Sequence, residues 1–227
     1  MAFTTFGSLY GTPQEVRRAE SAAALAELGV APGRVLFPGL ASGAADGALA
    51  QNLGACYARA LEAAAPLAPD RLYVPAWEGG NPDHDATHLL GVRLAGALGG
   101  ATVLAYPEYR ATVAPGGLWR VRAPLPGQGP LRVLSLTLAG GWAALRLARH
   151  FPRQRRSLAG LLPALAWDLL ARRRERLVEV AGIDYARPPH AGRLLYTRRY
   201  GLSFEAFSAA AAPFLRDWRG AGGAPRG

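Results

Sequence analysis

Apolar residues recur at helical spacing along the first stretch of the chain, at Val16, Ala19, Ala23, Leu25 and Leu28, which predicts an amphipathic helix. Thr12-Pro13-Gln14-Glu15 opens it: a capping threonine, a proline suited to the first helical position and a glutamate that completes a capping box. Gly29 ends it. Val35-Leu36-Phe37 predicts a short strand, followed by a Gly/Ala loop with Asp46-Gly47. Ala48 to about Ala65 reads as a helix that stops at Pro66. Arg71-Leu72-Tyr73-Val74-Pro75 reads as a buried strand, the stretch from Pro82 to Gly99-Gly100 as a helix, and Thr102 to Tyr106 as another strand. This alternation is the signature of an α/β fold, a parallel sheet covered by helices on both faces.

The second half is less regular. Pro115-Gly116-Gly117 and Pro124-Leu125-Pro126-Gly127 mark a surface excursion with a short strand near Trp119-Arg120-Val121. Arg132 to Leu138 reads as a strand, Trp142 to Arg149 and Leu158 to Arg176 as helices, the latter kinked at Pro163. Arg193 to Tyr196 is expected as a late edge strand, and Ser203-Phe204-Glu205 starts a last helix through about Trp218. The chain has no internal repeat. Its 227 residues fit a single domain over 1–219 with a disordered tail at 220–227.

Half of the residues are hydrophobic and 19% are charged, so the chain can build a core. One cysteine, Cys56, excludes an internal disulfide; in mid-helix among alanines it reads as a buried, inert thiol. Neither a signal peptide nor an apolar span long enough for a membrane is present, so a cytoplasmic protein with no membrane partner is expected. The net charge is +10, and every basic residue is arginine. That uniformity, beside the abundant alanine, glycine and proline, points to a GC-rich coding bias more than to an anionic partner. Arg146, Arg149, Arg153, Arg155 and Arg156 form one cluster and Arg172, Arg173, Arg174 and Arg176 another. They read as solvated helix faces, with an anionic surface or substrate as the sharper alternative. No aromatic-interleaved basic motif or finger spacing supports specific nucleic-acid recognition.

Chemistry concentrates in Trp77-Glu78-Gly79-Gly80-Asn81-Pro82-Asp83-His84-Asp85-Ala86-Thr87-His88. This polar loop ends a strand and opens a helix, which is where α/β proteins place their sites. Asn81 can cap the helix and Pro82 suits its first position. His84 and His88, four residues apart, share one helix face. With Asp83 and Asp85 they offer the nitrogen and oxygen donors that suit zinc. The plainer reading is structural: capping by Asn81, acids at the positive helix terminus and His88 packed beside the strand. His150 and His190 read as ordinary surface or packed histidines. Gly7-Ser8-Leu9-Tyr10-Gly11 lacks the Gly-x-Ser-x-Gly of a nucleophile elbow, and Gly39, Gly43 and Gly47 lack the Gly-Lys-Ser/Thr of a phosphate loop.

The order Glu78-Gly79-Gly80-Asn81-Pro82-Asp83-His84-Asp85-Ala86 resembles the second signature of the PIG-L/LmbE-like zinc deacetylases, Gly-Gly-His-Pro-Asp-His followed by a short acidic or apolar residue and Ala. Arg17-Arg18-Ala19-Glu20 through Leu28-Gly29 is similar to that family's Arg-x-x-Glu helix. Pro69-Asp70-Arg71-Leu72-Tyr73-Val74-Pro75 is similar to its Pro-Asp-x-Val strand. Phe151-Pro152-Arg153-Gln154 and Arg193-Leu194-Leu195-Tyr196 resemble two later segments more loosely.

The resemblance implies a Rossmann-like fold and hydrolysis of an N-acyl group from an amino sugar, glycoside or related amide by water activated on Zn2+. It places His84 at a metal-ligand position, Asn81 where the family has its oxyanion-side histidine, and Asp83 beside them among the catalytic residues. Asparagine can donate to an oxyanion but cannot act as a general acid. The family's first motif, His-Pro-Asp-Asp-Glu, occurs nowhere in this chain. Phe3 to Gly11 aligns with the end of the family's second strand, so the first strand is expected to be missing, leaving an apolar slot and an exposed sheet edge through which copies could associate. Two readings follow: an interrupted deacetylase, or a catalytically inactive relative that binds without hydrolysing.

Overall fold

The structure, a computed structural model, describes residues 14–111 and 120–220. The predicted helix start at Thr12-Pro13, the segment Phe3 to Gly11, the Pro115-Gly116-Gly117 turn and the tail after Gly220 lie outside the described residues.

The fold is mixed α/β. Four strands form a sheet in the order β1-β2-β6-β5: β1 is Arg71–Pro75, β2 Thr102–Tyr106, β5 Leu131–Ser135 and β6 Arg174–Glu179. β1 and β2 are parallel, whereas β6 is antiparallel to both β2 and β5. Three of the four strands therefore run in one direction and β6 opposes them. A small hairpin pairs β3, Tyr109–Arg110, with β4, Arg120–Val121. Helices surround the sheet: α1 Gln14–Glu27, α2 Pro38–Ser42, α3 Leu49–Ala64, α4 Pro82–Ala97, α5 Leu138–Arg146, α6 Arg155–Ala166, α7 Leu195–Tyr200 and α8 Phe204–Gly220. No helix of the described residues is long and apolar enough to cross a membrane.

The first half follows its apolar periodicity, and three segments do not. Val35-Leu36-Phe37 shrinks to a single β-bridge at Leu36: a 3-10 turn covers Pro32–Arg34, and Pro38 starts the short α2 at a position proline favours. The helix predicted to run through Arg176 ends in a π-helical turn at Trp167–Arg172, where Arg173 turns left-handed with φ 51°. Arg174–Glu179 then becomes β6, because Leu177 and Val178 are buried between β2 and β5 and strand preference follows such packing more than local propensity. Arg193 to Tyr196 is not a strand either. Leu194 is extended, but Leu195 begins α7.

α4 sits at the centre, packed against β1, β2, α3 and α8. It is buried on nearly every side, including the polar Asp83, Asp85 and His88. Its approach to β1 needs Gly91, where an added Cβ would lie 2.3 Å from Val74 Cγ1. The main core joins α3, α4 and α8 around Trp77, Leu89 and Phe207.

Much of the arginine excess is internally paired. Arg146, Arg149 and His150 converge on Glu27 at 2.7, 3.0 and 2.5 Å. Arg122 and Arg176 clasp the buried Asp168 at 2.8 and 2.9 Å. These groups tie α1 to the segment after α5, and the π-helical turn to β6.

Among the described residues β1 pairs with β2 alone. A cleft of about 1340 Å³ is lined by all five β1 residues but, from β2, by Tyr106 only. It therefore runs along the side of β1 away from β2, and Leu36, Leu90 and Leu94 contribute to its apolar walls.

Candidate active site

The site loop joins β1 to α4 at the end of the cleft. Its backbone is held by buried polar groups. Asn81 caps α4 by accepting the Asp83 amide at 2.9 Å. Asp85, in the first turn of α4 and fully buried, turns back and accepts the amides of Glu78 at 3.1 Å and Gly79 at 3.2 Å. Trp77 is inserted in the core, and its carbonyl accepts Gln128 Nε2 at 2.6 Å.

Of the residues singled out in the sequence, His84 faces the chemistry. It is one-quarter exposed and lines the cleft. Its Nδ1 lies 3.3 Å from Glu108 Oε2, and its ring meets Tyr109 edge-on with centroids 5.7 Å apart. Asn81 lines the same cleft and its side chain also bonds Tyr109.

Asp83 borders the cleft, but both its oxygens are engaged: Oδ2 accepts the Gly47 amide at 2.6 Å and Oδ1 the Leu49 amide at 3.2 Å. It anchors the start of α3 to the start of α4. Burial raises its carboxyl to about 6 against those two amide bonds.

His88 points away from His84, into the core. Its Nδ1 donates to the Pro75 carbonyl at 2.9 Å, and Nε2 accepts from the Tyr185 hydroxyl at 3.0 Å. The carbonyl fixes this neutral tautomer, and burial lowers the imidazole to about 4. His150 is committed to Glu27, and His190 Nδ1 donates to the Ala191 carbonyl. Cys56 is buried, and desolvation pushes its thiol up to about 11, as expected for an inert core cysteine.

Glu108, Tyr109 and the role of Glu78 were missed in the sequence. Pro107-Glu108-Tyr109 follows β2 as the site loop follows β1. The two parallel strands end side by side, with Pro75 opposite Tyr106, so polar residues just past both ends must meet. Applying the strand-end rule to both strands would have found Glu108.

The contact between the two loops is tight. At Gly80 an added Cβ would lie 1.9 Å from the Tyr109 carbonyl oxygen. Backbone cannot rotate aside as a side chain can. Gly80→Ala is expected to push the two loops apart and to cost about 1–3 kcal/mol or more, read as a lowered urea midpoint.

Three protein ligands are the norm for a catalytic zinc. Among the described residues no group of three or more His, Cys, Asp or Glu side chains gathers as a metal site. His84 and Glu108 are two, and Asp83 is spent on amides. The described residues do not make a zinc site.

No family model matches the chain, and no curated protein matches it. Solved structures do. A triple mutant of a deacetylase involved in the teicoplanin biosynthetic pathway superposes with a TM-score of 0.56 at 20% identity, over 75% of this chain and 72% of that one. The antimicrobial reagent A40926 pseudoaglycone deacetylase superposes with a TM-score of 0.54 at 19% identity, over 75% and 73%. The chain shares its mixed α/β architecture with these deacetylases.

Proposed function

We propose that the cleft binds an N-acyl amino sugar, a glycoside of one, or a related amide, and that the chain removes the acyl group by hydrolysis. The observation that carries this reading is the His84–Glu108 pair at the ends of two parallel strands, in an architecture shared with deacetylases. Glu108 accepting Nδ1–H leaves Nε2 of His84 as the basic nitrogen that takes a proton from water. The Glu108 carboxylate then stabilises the imidazolium. The Asn81 carboxamide, fixed by its capping bond, supplies a neutral donor to the substrate oxygen. In the PIG-L/LmbE-like family that the sequence resembles, zinc activates the water. The donor set described above does not fit that ion, so no step here is assigned to it.

The same donor set favours one further reading: binding of the N-acyl sugar without hydrolysis. Incubation with an N-acetylated aminohexose glycoside separates the two, with acetate release and calorimetric binding followed in parallel, with and without added zinc. Hydrolysis predicts acetate release that falls at least a hundredfold in His84→Ala. Binding with no acetate supports the second reading. Absence of both overturns the proposal.

A further inference from the structure

Glu78 is a charged-type side chain left 2% exposed in the core, and the mechanism above gives it no part. Its carboxyl does not face the cleft. One oxygen, Oε1, accepts two consecutive backbone amides, those of Glu108 and Tyr109, each at 2.8 Å. These residues carry the carboxylate at His84 Nδ1 and the ring against its edge. Glu78 itself is fixed from the other side, since its own amide donates to Asp85 Oδ1 at 3.1 Å.

We infer that Glu78 is the positioning residue of this site: by gripping the backbone at 108–109 it sets Glu108 against His84 and thereby fixes which ring nitrogen carries the proton. A path of named bonds connects them. Asp85 holds the amide of Glu78, the Glu78 side chain holds the amides of Glu108 and Tyr109, and Glu108 holds the imidazole. Burying a carboxyl costs free energy, and two amide bonds on one oxygen offset it only if both donors stay in place. The second loop is therefore locked in one position, as a proton-transfer group held by packed supporting residues requires. Glu78 touches neither cleft nor substrate and acts only through Glu108. The inference rests on the proposed role of His84, but its test does not need activity.

The readout is the His84 ring in the full chain, by long-range proton–nitrogen correlation at a pH well above the usual imidazole value of about 6.5. Four histidines are present, and His84→Ala assigns the signal. Wild-type protein should show the Nδ1–H tautomer. Glu108→Ala should convert it to a mixture of tautomers. Glu78→Leu, which keeps the bulk and removes the acceptor, should do the same although it never touches His84. Glu78→Gln, whose amide oxygen can still accept both amides, should restore the Nδ1–H form. Should Glu78→Leu fail to fold, Glu78→Asp withdraws the carboxyl by one methylene and tests the same point. An unchanged Nδ1–H ring in a folded Glu78→Leu or Glu78→Asp variant overturns the inference. A ring that responds in protein releasing no acetate leaves the inference standing and counts against hydrolysis instead.

Discussion

Asp85→Ala is expected to be the most damaging single truncation in the site loop, costing about 2–6 kcal/mol. Asp85 is fully buried and accepts the amides of Glu78 and Gly79. Alanine leaves both buried donors without a partner, at about 1–3 kcal/mol each. Domains of this kind are stable by only about 5–15 kcal/mol, so the loss is a large fraction of the whole. In a chain of this size it corresponds to a melting temperature lower by roughly 4–24 °C. Asp85→Asn should be much milder. Its oxygen still accepts an amide, and an uncharged group avoids the desolvation that raises this carboxyl to about 7. A melting temperature for Asp85→Ala equal to that of wild type would show that the loop is held some other way.

Stability is expected to rise by about 2 kcal/mol as pH falls from 8 to 6.5. Burial pushes Glu78 up to about 8 and Asp85 up to about 7, from ordinary values of 4.5 and 3.8. In both cases the folded chain holds a proton that the unfolded chain has released. The resulting stability is fully present below the ordinary values and is lost as pH rises through 7 and 8. His88 acts in the opposite sense. Burial lowers it from 6.5 to about 4, so the unfolded chain takes up a proton that the folded chain refuses. Its contribution is present above 6.5 and is lost as pH falls towards 4. Below 6.5 the His88 loss offsets part of the gain, but Glu78 and Asp85 continue to add stability until pH approaches their ordinary values. Urea midpoints across this range test the slope, and a midpoint that fell between pH 8 and 6.5 would contradict it.

How much of this was legible in the sequence depended on whether a segment's pattern matched its final surroundings. Apolar periodicity located α1, α3, α4 and α8, and the strands at 71–75 and 102–106. Their existence was legible but not always the buried face: α1 buries Ala24 and Leu25, yet Leu28 just past its end is exposed, and β1 leaves Tyr73 exposed. The loop after β1 declared itself through its residues, and the capping role of Asn81 followed from its type and place. Arg174–Glu179 was illegible because its arginines mimic a helix face. Only pairing with β2 and β5 makes it a strand.

At the site, the sequence by itself determined that His84 would stand in the first turn of a helix behind a strand. Spacing along one chain is enough to fix that, because it is local. It could not decide which of Asp83, Asp85 and His88 would join His84. All sit within one turn of it, and a rotation of the helix exchanges inside for outside. The tertiary structure decided this by burying α4 on nearly every side. Asp83 went to α3, Asp85 to its own loop and His88 to the core. The partner His84 received instead was Glu108, 24 positions along the chain. It is brought there because two parallel strands end side by side, and backbone hydrogen bonding across a sheet makes neighbours of residues that no sequence spacing relates.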